Sequence, residues 1–454
     1  MEPPKADRAA VRVLLCGTHP SQQNGYSRVV YELARRLALR EADIALTIYG
    51  FQRAQGAAGP NDAARALPSN VVVHDAAAAE NPKRLGFGEA KIGEFLRMVP
   101  QDVVVIYNDL AVTTMLVQEI VRVHGGDRAK RPFKLVSYMD QVYLCQKRRN
   151  LDLIEREFDG VITFSTGWAD VLRGQLRDPD RLSWAVLEHG IDAAAHHPVT
   201  RRLARTYFGI DQQAFVVLNL NRNVPRKRYD HVMTAFASVA AQMEREDAAV
   251  LDASGVPTSV AARRPVRFLI GTDMHSCWEL PELFEREFIK RGGTAEAARK
   301  YLIGISAPQS LTDRDTNILH SVADVHATAA DGEGWGLCSF EAAAAGVANV
   351  ATAVGGICDF LSDDTALLVR PKWHFYIDNS RDQIGGEAEV SDPEDIAAAI
   401  LQYYRDEGLR ARHAAAARAY VTTSVKYSWD RLAGVFADFC VAVNVNNAGP
   451  TAQI

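Results

Sequence analysis

Residues 331–356 read DGEGWGLCSFEAAAAGVANVATAVGG. The stretch follows an apolar run, ADVHATA (323–329), passes through a glycine-bracketed turn, enters a helical pattern near Leu337, and leaves through Gly346 into a second apolar run. Strand, turn, helix and strand in that order are the repeating unit of a parallel sheet covered by helices. Gly332, Gly334 and Gly336 let the backbone approach a ligand closely, and the unpaired N–H groups of the first helical turn point into the same space. That is an anion site of the kind phosphate occupies. Glu333 and Glu341 flank it, and carboxylates accept hydrogen bonds from sugar hydroxyls. A phosphate pocket edged by hydroxyl acceptors suits a nucleotide sugar. Two solvated charges beside an ordinary glycine-rich loop are the competing reading.

The same alternation extends in both directions. Towards the N-terminus lie VRVLLCG (11–17), ALTIYGF, NVVVHDA, DVVVIYN, FKLVSYM, GVITFS and WAVLEHG (184–190). A second series comprises AFVVLNLN (214–221), VRFLIGT, ADVHATA, NVATAV and ALLVRP. Amphipathic segments separate them: Val30, Leu33, Ala34 and Leu37 share one face, and Val232, Ala235, Phe236, Val239 and Met243 another. Two α/β, Rossmann-like halves with parallel sheets are expected, joined near residues 195–212. Stretches 245–265 and 378–393 read as surface loops, the tail 444–454 as frayed, and 427–443 as a last helix that needs a surface to cover its apolar stripe.

A second constellation, LNLNRNVPRKRYDHVMTAF (218–236), also lies at a strand-to-helix turn. Arg222, Arg226, Lys227 and Arg228 crowd into seven positions, and a diphosphate would relieve their repulsion. A water-exposed basic loop is the alternative.

Composition limits the rest. The 454 residues are 48% hydrophobic and 24% charged, which excludes a disordered or fibrous chain. With 51 Lys and Arg against 56 Asp and Glu, the net charge of −5 gives no general attraction to nucleic acid or anionic lipid. The polar, proline-containing opening MEPPKADRAA lacks the apolar core of a signal peptide, so a cytoplasmic protein is expected. Six scattered cysteines without a CxxC pair read as buried thiols. Arg28, Arg35, Arg36 and Arg40, with the run Lys147-Arg148-Arg149, would permit peripheral membrane contact, although a solvated helical face explains them as well.

These residues together resemble the family 4 retaining nucleotide-sugar glycosyltransferases. Glu333 and Glu341 form an E-x7-E pattern, Arg222 and Lys227 match an R-x4-K element, VLEHGID (186–192) is similar to the family's His-Gly-Val-Asp segment, and the loop bearing Asn24-Gly25 before ELARRL is similar to its start. The similarity runs over about residues 11–440. It implies a GT-B fold: two facing Rossmann-like domains, 11–205 on the acceptor side and 206–426 on the donor side, with a helix at 427–445 crossing back to the first. It implies a metal-independent, retaining transfer of a hexose-type sugar from a nucleotide diphosphate sugar, the co-substrate, to an unknown acceptor (glycan, lipid, protein or small molecule), with no cofactor and no nucleic-acid partner. Arg222 and Lys227 would hold the diphosphate, joined by Arg228; Glu333 would meet the transferred sugar and Glu341 the ribose; Gly334, Trp335, Gly336 and Leu337 would complete the donor site, with Gly25 opposite. Where many relatives have a histidine, this chain has Met139-Asp140, so Asp140 becomes the candidate sugar or acceptor contact. His19, His189 and His326 are expected to be structural. A catalytically silent nucleotide-sugar-binding scaffold is the alternative, while a dinucleotide-dependent oxidoreductase is disfavoured because GTHPSQQNG (17–25) lacks G-x-G-x-x-G.

Overall fold

A computed structural model describes residues 9–53, 63–80, 85–248, 264–305, 311–377 and 384–445. The chain divides into two compact units. The first holds the residues up to Gly190, 384–386, and those from Val425 onward; the second holds most of Ile191 to Ser424.

In the first unit, β1 (Val11–Thr18), β2 (Ile44–Phe51), β3 (Val72–Asp75), β4 (Val103–Asn108), β5 (Lys134–Met139), β6 (Gly160–Thr163) and β7 (Ser183–Val186) make a parallel sheet in the order β3-β2-β1-β4-β5-β6-β7. In the second, β8 (Phe215–Asn219), β9 (Val266–Ile270), β10 (Leu302–Gly304), β11 (Val325–Thr328), β12 (Ala348–Thr352) and β13 (Leu367–Val369) make another, in the order β10-β9-β8-β11-β12-β13. Both are doubly wound: the strand order reverses beside the first strand of each unit, and ligands of such sheets collect beyond the carboxyl ends of the strands at that reversal. The expectation of two parallel-sheet Rossmann-like units is borne out.

Both faces of each sheet are buried, which is why the strands read as continuous apolar runs. Along β8, Phe215 and Val217 join Phe236 and Phe268 on one side, while Val216 and Leu218 join Leu319 and Ala342 on the other. The rings of Phe236 and Phe268 stack at 4.2 Å.

Several boundaries differ from those read in the sequence. The units divide at Gly190, not at 205, because the helix Arg201–Phe208 packs within the second unit, where Arg205 reaches Asp324 at 2.9 Å. The helix Tyr229–Ala248 runs through the start of the expected 245–265 loop, and 249–263 lie outside the described residues. Within the expected 378–393 loop, β15 (Gly386–Val390) pairs with β14 (Trp373–Ile377) as a separate two-stranded sheet, and 378–383 are outside the described residues. Strand β10 is too short to register as an apolar run. Of the cysteines, Cys16 and Cys440 are buried as expected, Cys338 is partly buried, and Cys145, Cys277 and Cys358 are exposed.

The last helix, Trp429–Val445, groups with the first unit and buries Leu432, Phe436, Phe439 and Cys440. Two glycines admit it. A Cβ at Gly190 would lie 2.5 Å from the Trp429 ring, and one at Gly160 would lie 2.9 Å from Phe439. The glycine of VLEHGID is thus a packing requirement of the first unit. The helix takes in Asn444 and Val445, the first two residues of the expected frayed tail; 446–454 and 1–8, most of the polar opening, lie outside the described residues. No helix among the described residues is long and apolar enough to cross a membrane.

Candidate active site

Strands β8 and β11 are hydrogen-bonded neighbours, with Val217 opposite Val325 and Leu218 opposite His326. The loops that follow them, residues 220–228 and 329–336, therefore emerge side by side at the reversal of the second sheet. A buried polar network shapes the first loop. The Tyr229 hydroxyl donates to the Asn221 carbonyl (2.7 Å) and lies 2.9 Å from Asn219 Oδ1, Asn221 Nδ2 donates to Thr328 Oγ1 (2.8 Å), and Asn223 Nδ2 donates to the Trp278 carbonyl (2.8 Å). Each side chain satisfies a backbone or hydroxyl group that burial would otherwise strand. Sequence reasoning missed this network; its signal was the repeated asparagine of LNLNRN, three polar residues where a buried strand ends.

The network delivers Lys227 and Arg226 to Glu333. Lys227 Nζ pairs with Glu333 Oε1, and Arg226 Nη1 lies 3.0 Å from Glu333 Oε2. The side chains of Lys227 and Glu333 are 9% and 6% exposed, so the pair is largely desolvated. Burial, reinforced by neighbouring Arg226, pushes the Lys227 ammonium below its ordinary pKa despite Glu333. Burial raises the Glu333 carboxyl, but Lys227 and Arg226 outweigh it and hold the group below the usual carboxylate range. The downward shift favours the carboxylate form of Glu333 beside the two basic side chains.

The four cations of 222–228 are distributed unequally. Arg222 is exposed and, among the described residues, its guanidinium has no side-chain partner. Arg228 sits in the left-handed region at φ 48°, with Asp230 at 2.8 Å and Asp331 at 3.5 Å, so its charge is already matched by two carboxylates. Arg226, named in the sequence only as part of the basic run, is the cation that joins Lys227 on Glu333.

The helix Leu337–Ala344 begins as expected. Its cap, Gly336, has φ 93°, and a Cβ there would meet Ile357 Cγ1 at 2.8 Å, so glycine is required by conformation and by space. The Gly356 amide donates to the Glu333 carbonyl (3.1 Å), fixing the turn from behind at Gly334 and Trp335. The Trp335 side chain is buried against Phe340 and Phe360, ring centroids 5.4 and 5.5 Å away, and serves as packing. Leu337 is partly buried at the first helical position. Glu341 is buried on the same helix, 3.6 Å from His320 Nε2. Beneath the site, His326 Nδ1 is 3.1 Å from Asn349 Oδ1 on the adjacent strand, and burial pushes this histidine down to about 4. Asn349 thus has a defined partner.

The corresponding end of the first unit is aromatic. Gly25 opens the helix Gly25–Leu37, whose cap Asn24 accepts from the Ser27 amide at 2.8 Å. The next residue, Tyr26, donates its hydroxyl to Asp140 Oδ2, just beyond β5. The Tyr107 ring lies 5.2 Å from Tyr26 and 4.6 Å from Tyr138, and its hydroxyl is 3.3 Å from His189 Nε2. Burial pushes His189 down to about 3, so it is neutral at physiological pH. His19 Nδ1 lies 2.8 Å from the Ser21 hydroxyl in the first loop. The basic residues that permitted membrane contact are largely neutralised: Arg35 and Arg36 pair with Glu32, Arg40 with Asp43 (3.0 Å) and Asp438 (3.1 Å), and Arg148 with Asp152 (2.7 Å) and Glu155.

No family model matches the chain. It is 27% identical over 266 residues to the D-inositol 3-phosphate glycosyltransferase of Salinispora arenicola (strain CNS-205), a match covering 56% of this chain and about half (48%) of that relative. Among solved structures, the sucrose-phosphate synthase of Thermosynechococcus elongatus superposes with a TM-score of 0.65 at 15% identity, covering 94% of this chain and 98% of that one. Anabaena HepE, solved with UDP and glucose, gives 0.62 at 15% identity over 94% and 98%. A glycosyltransferase from Rickettsia africae ESF-5 gives 0.63 at 14% identity over 97% and 100%. At these identities the solved structures establish the fold alone, and that fold is the one the motifs imply: the chain has the GT-B architecture and resembles the family 4 nucleotide-sugar glycosyltransferases.

Proposed function

We propose that the protein is a retaining, metal-independent glycosyltransferase that moves a hexose-type sugar from a nucleotide diphosphate sugar to an acceptor hydroxyl, in the cytoplasm, for glycan or glycoconjugate synthesis. The observation that carries this reading is the desolvated trio of Lys227, Arg226 and Glu333 beside the Gly336-capped helix at the reversal of the second sheet. The curated relative's name supports glycosyl transfer; the finer terms rest on this chain's residues.

Cleavage of an anomeric bond to diphosphate develops positive charge on the sugar and negative charge on the leaving oxygen. Cations held in place before the reaction act most strongly on that transition state. Lys227 exchanges the Glu333 carboxylate for phosphate oxygens when donor arrives, and Arg222, exposed and without a side-chain partner among the described residues, swings onto the same diphosphate. Amides at Gly336 and Leu337 complete the anion site. Glu333, released from Lys227, accepts hydroxyls of the transferred sugar; Glu341 accepts those of the ribose. In the first unit Asp140, held by Tyr26, is the candidate acceptor contact, beside the helix that Gly25 opens.

A thermal-shift panel of UDP-, GDP- and ADP-sugars tests this reading, since a ligand that binds only the folded chain raises its melting temperature. One nucleotide class is expected to stabilise the protein and to be turned over with retained anomeric configuration in the presence of EDTA. No stabilisation by any donor would refute donor binding. Binding without turnover would favour a silent scaffold, an inverted product would refute retention, and EDTA-sensitive activity restored by a divalent ion would refute metal independence.

A further inference from the structure

Asp324 lies immediately before β11, at the end of that strand opposite the donor loop 329–336. Its side chain is fully buried, and four guanidiniums converge on it. Oδ2 accepts from the Val216 amide, from Arg205 Nη2 and from Arg264 Nη2, each at 2.9 Å. Oδ1 has Arg201 Nη1 at 3.1 Å and Arg410 Nη2 at 3.8 Å, neither aligned as a hydrogen bond. One guanidinium matches the charge of a buried carboxylate, so the other three exceed it.

The excess is not absorbed nearby. Arg410 also meets Glu407 at 3.3 Å, but that carboxylate is 81% exposed and screened by water. Arg264 and Arg410 lie over the Phe215 ring, 5.5 and 5.3 Å from its centroid, a contact that steadies the cations without neutralising them. Arg201 has no side-chain partner besides Asp324 among the described residues. The cations also feel one another: burial lowers the pKa of both Arg205 and Arg410, Asp324 opposes it, and the charges of Arg201 and Arg264 lower both again. Four positive charges against two negative ones leave a surplus of two.

The arrangement is open on one side. Arg201 and Arg264 are 48% and 34% exposed, whereas Arg205 and Arg410 are buried behind them. Two accessible planar forks carrying a surplus of two charges suit a doubly charged tetrahedral oxyanion, which is phosphate. A net charge of −5 gives the chain as a whole no attraction for a nucleic-acid polyanion. Arg201 and Arg205 stand on the helix Arg201–Phe208 and Arg410 on the helix Glu407–Thr423, the first and last helices of the second unit, so an anion bound there would fasten both to β11.

We propose that Arg201 and Arg264, backed by Arg205 and Arg410, form a second anion site, at the opposite end of β11 from the donor loop, that takes a phosphate dianion either free or carried on a small metabolite. The site is independent of the glycosyltransferase reading. Full-length wild-type and Lys227→Ala proteins are titrated with inorganic phosphate and with a hexose monophosphate, at ionic strength held constant with sodium chloride, by calorimetry and by melting temperature. At least one of the two is expected to bind and to raise the melting temperature in both proteins. Arg201→Gln should weaken that binding by at least about tenfold, and Arg201→Lys, which keeps the charge, should lose less. Circular dichroism should be unchanged in both variants. Tighter binding of inorganic phosphate would support a site for the free anion, and tighter binding of the hexose monophosphate a site for the carried one. The proposal is overturned if neither ligand acts beyond the chloride control or if Arg201→Gln binds as well as wild type. It is also overturned if Lys227→Ala abolishes the binding, which would assign the phosphate to the donor loop.

Discussion

The loops after β1, β4 and β5 and those after β8 and β11 occupy equivalent places in two sheets of the same winding, yet their chemistry is opposite. The first unit surrounds one carboxylate, Asp140, with Tyr26, Tyr107 and Tyr138, and keeps His189 neutral. The second concentrates Arg226, Lys227 and Arg228 against Glu333, Asp230 and Asp331. A doubly wound sheet supplies a place for a ligand and amide donors, and the loop residues decide whether that place attracts a charged diphosphate or a neutral sugar. The comparison predicts that the charge-driven chemistry lies in the second unit and positioning in the first.

The largest effect should come from Lys227→Ala, which is expected to slow transfer by about 10²- to 10³-fold, whereas Asp140→Asn should cost less. Equal losses in steady-state assays would break the comparison. Within the second unit, Glu333→Gln should harm turnover more than nucleotide affinity, and Glu341→Gln the reverse.

The unequal roles of the cations can be separated next. Arg222→Ala should reduce transfer by about 10²-fold without changing the melting temperature. Arg228→Ala should destabilise the fold by about 3 kcal/mol, because Asp331 is fully buried and would lose its cation. If both variants lose only activity, the structural role of Arg228 is wrong.

In each unit burial pushes one histidine far below its ordinary value, His189 in the first and His326 in the second, so acid should weaken both. The unfolded chain takes up a proton near pH 6.5, but folded His326 does so only near pH 4 and His189 near pH 3. Lowered histidine values mean that the unfolded state binds more protons between these limits. Stability is therefore whole above about pH 6.5 and falls with pH by about 1.4 kcal/mol per unit for each histidine. In denaturant titrations between pH 7 and 5, His326→Asn should flatten the slope of the second unit by about one proton. An unchanged slope would contradict the burial argument.

The smallest effects concern backbone. Gly336→Ala should lower stability by about 1–2 kcal/mol through its left-handed φ, with the Ile357 clash adding to it. Gly25→Ala, at a helix start without a positive φ, should be nearly neutral in calorimetry, and a large loss there would show that the two glycines act alike.

Much of the fold was legible because a buried parallel strand must be apolar on both faces, so VRVLLCG and AFVVLNLN announce themselves. The short β10 and the solvated ribbon of Trp373–Ile377 carry no such run, and both escaped notice. Within the candidate site, Glu333, Lys227, Gly336 and Glu341 stood out through spacing and residue type. For Trp335 the sequence leaves the side chain's place open, because an aromatic residue in a glycine-rich turn looks the same whether its ring faces a ligand or packs against Phe340 and Phe360, as it does here. Arg226 was undervalued for a similar reason: four neighbouring cations are indistinguishable until each has a partner.

Two series of strands and helices, and with them the turns where donors and cations gather, follow from residue order alone, since hydrophobic period and glycine placement are local properties. Which charges meet depends on how the chain packs. Lys227 and Glu333 are 106 residues apart, and their pairing depends on β8 and β11 lying side by side with Asn219, Asn221 and Tyr229 fixing the loop above them. Desolvation, which sets the strength of that pair, belongs to the packed chain and to no residue alone.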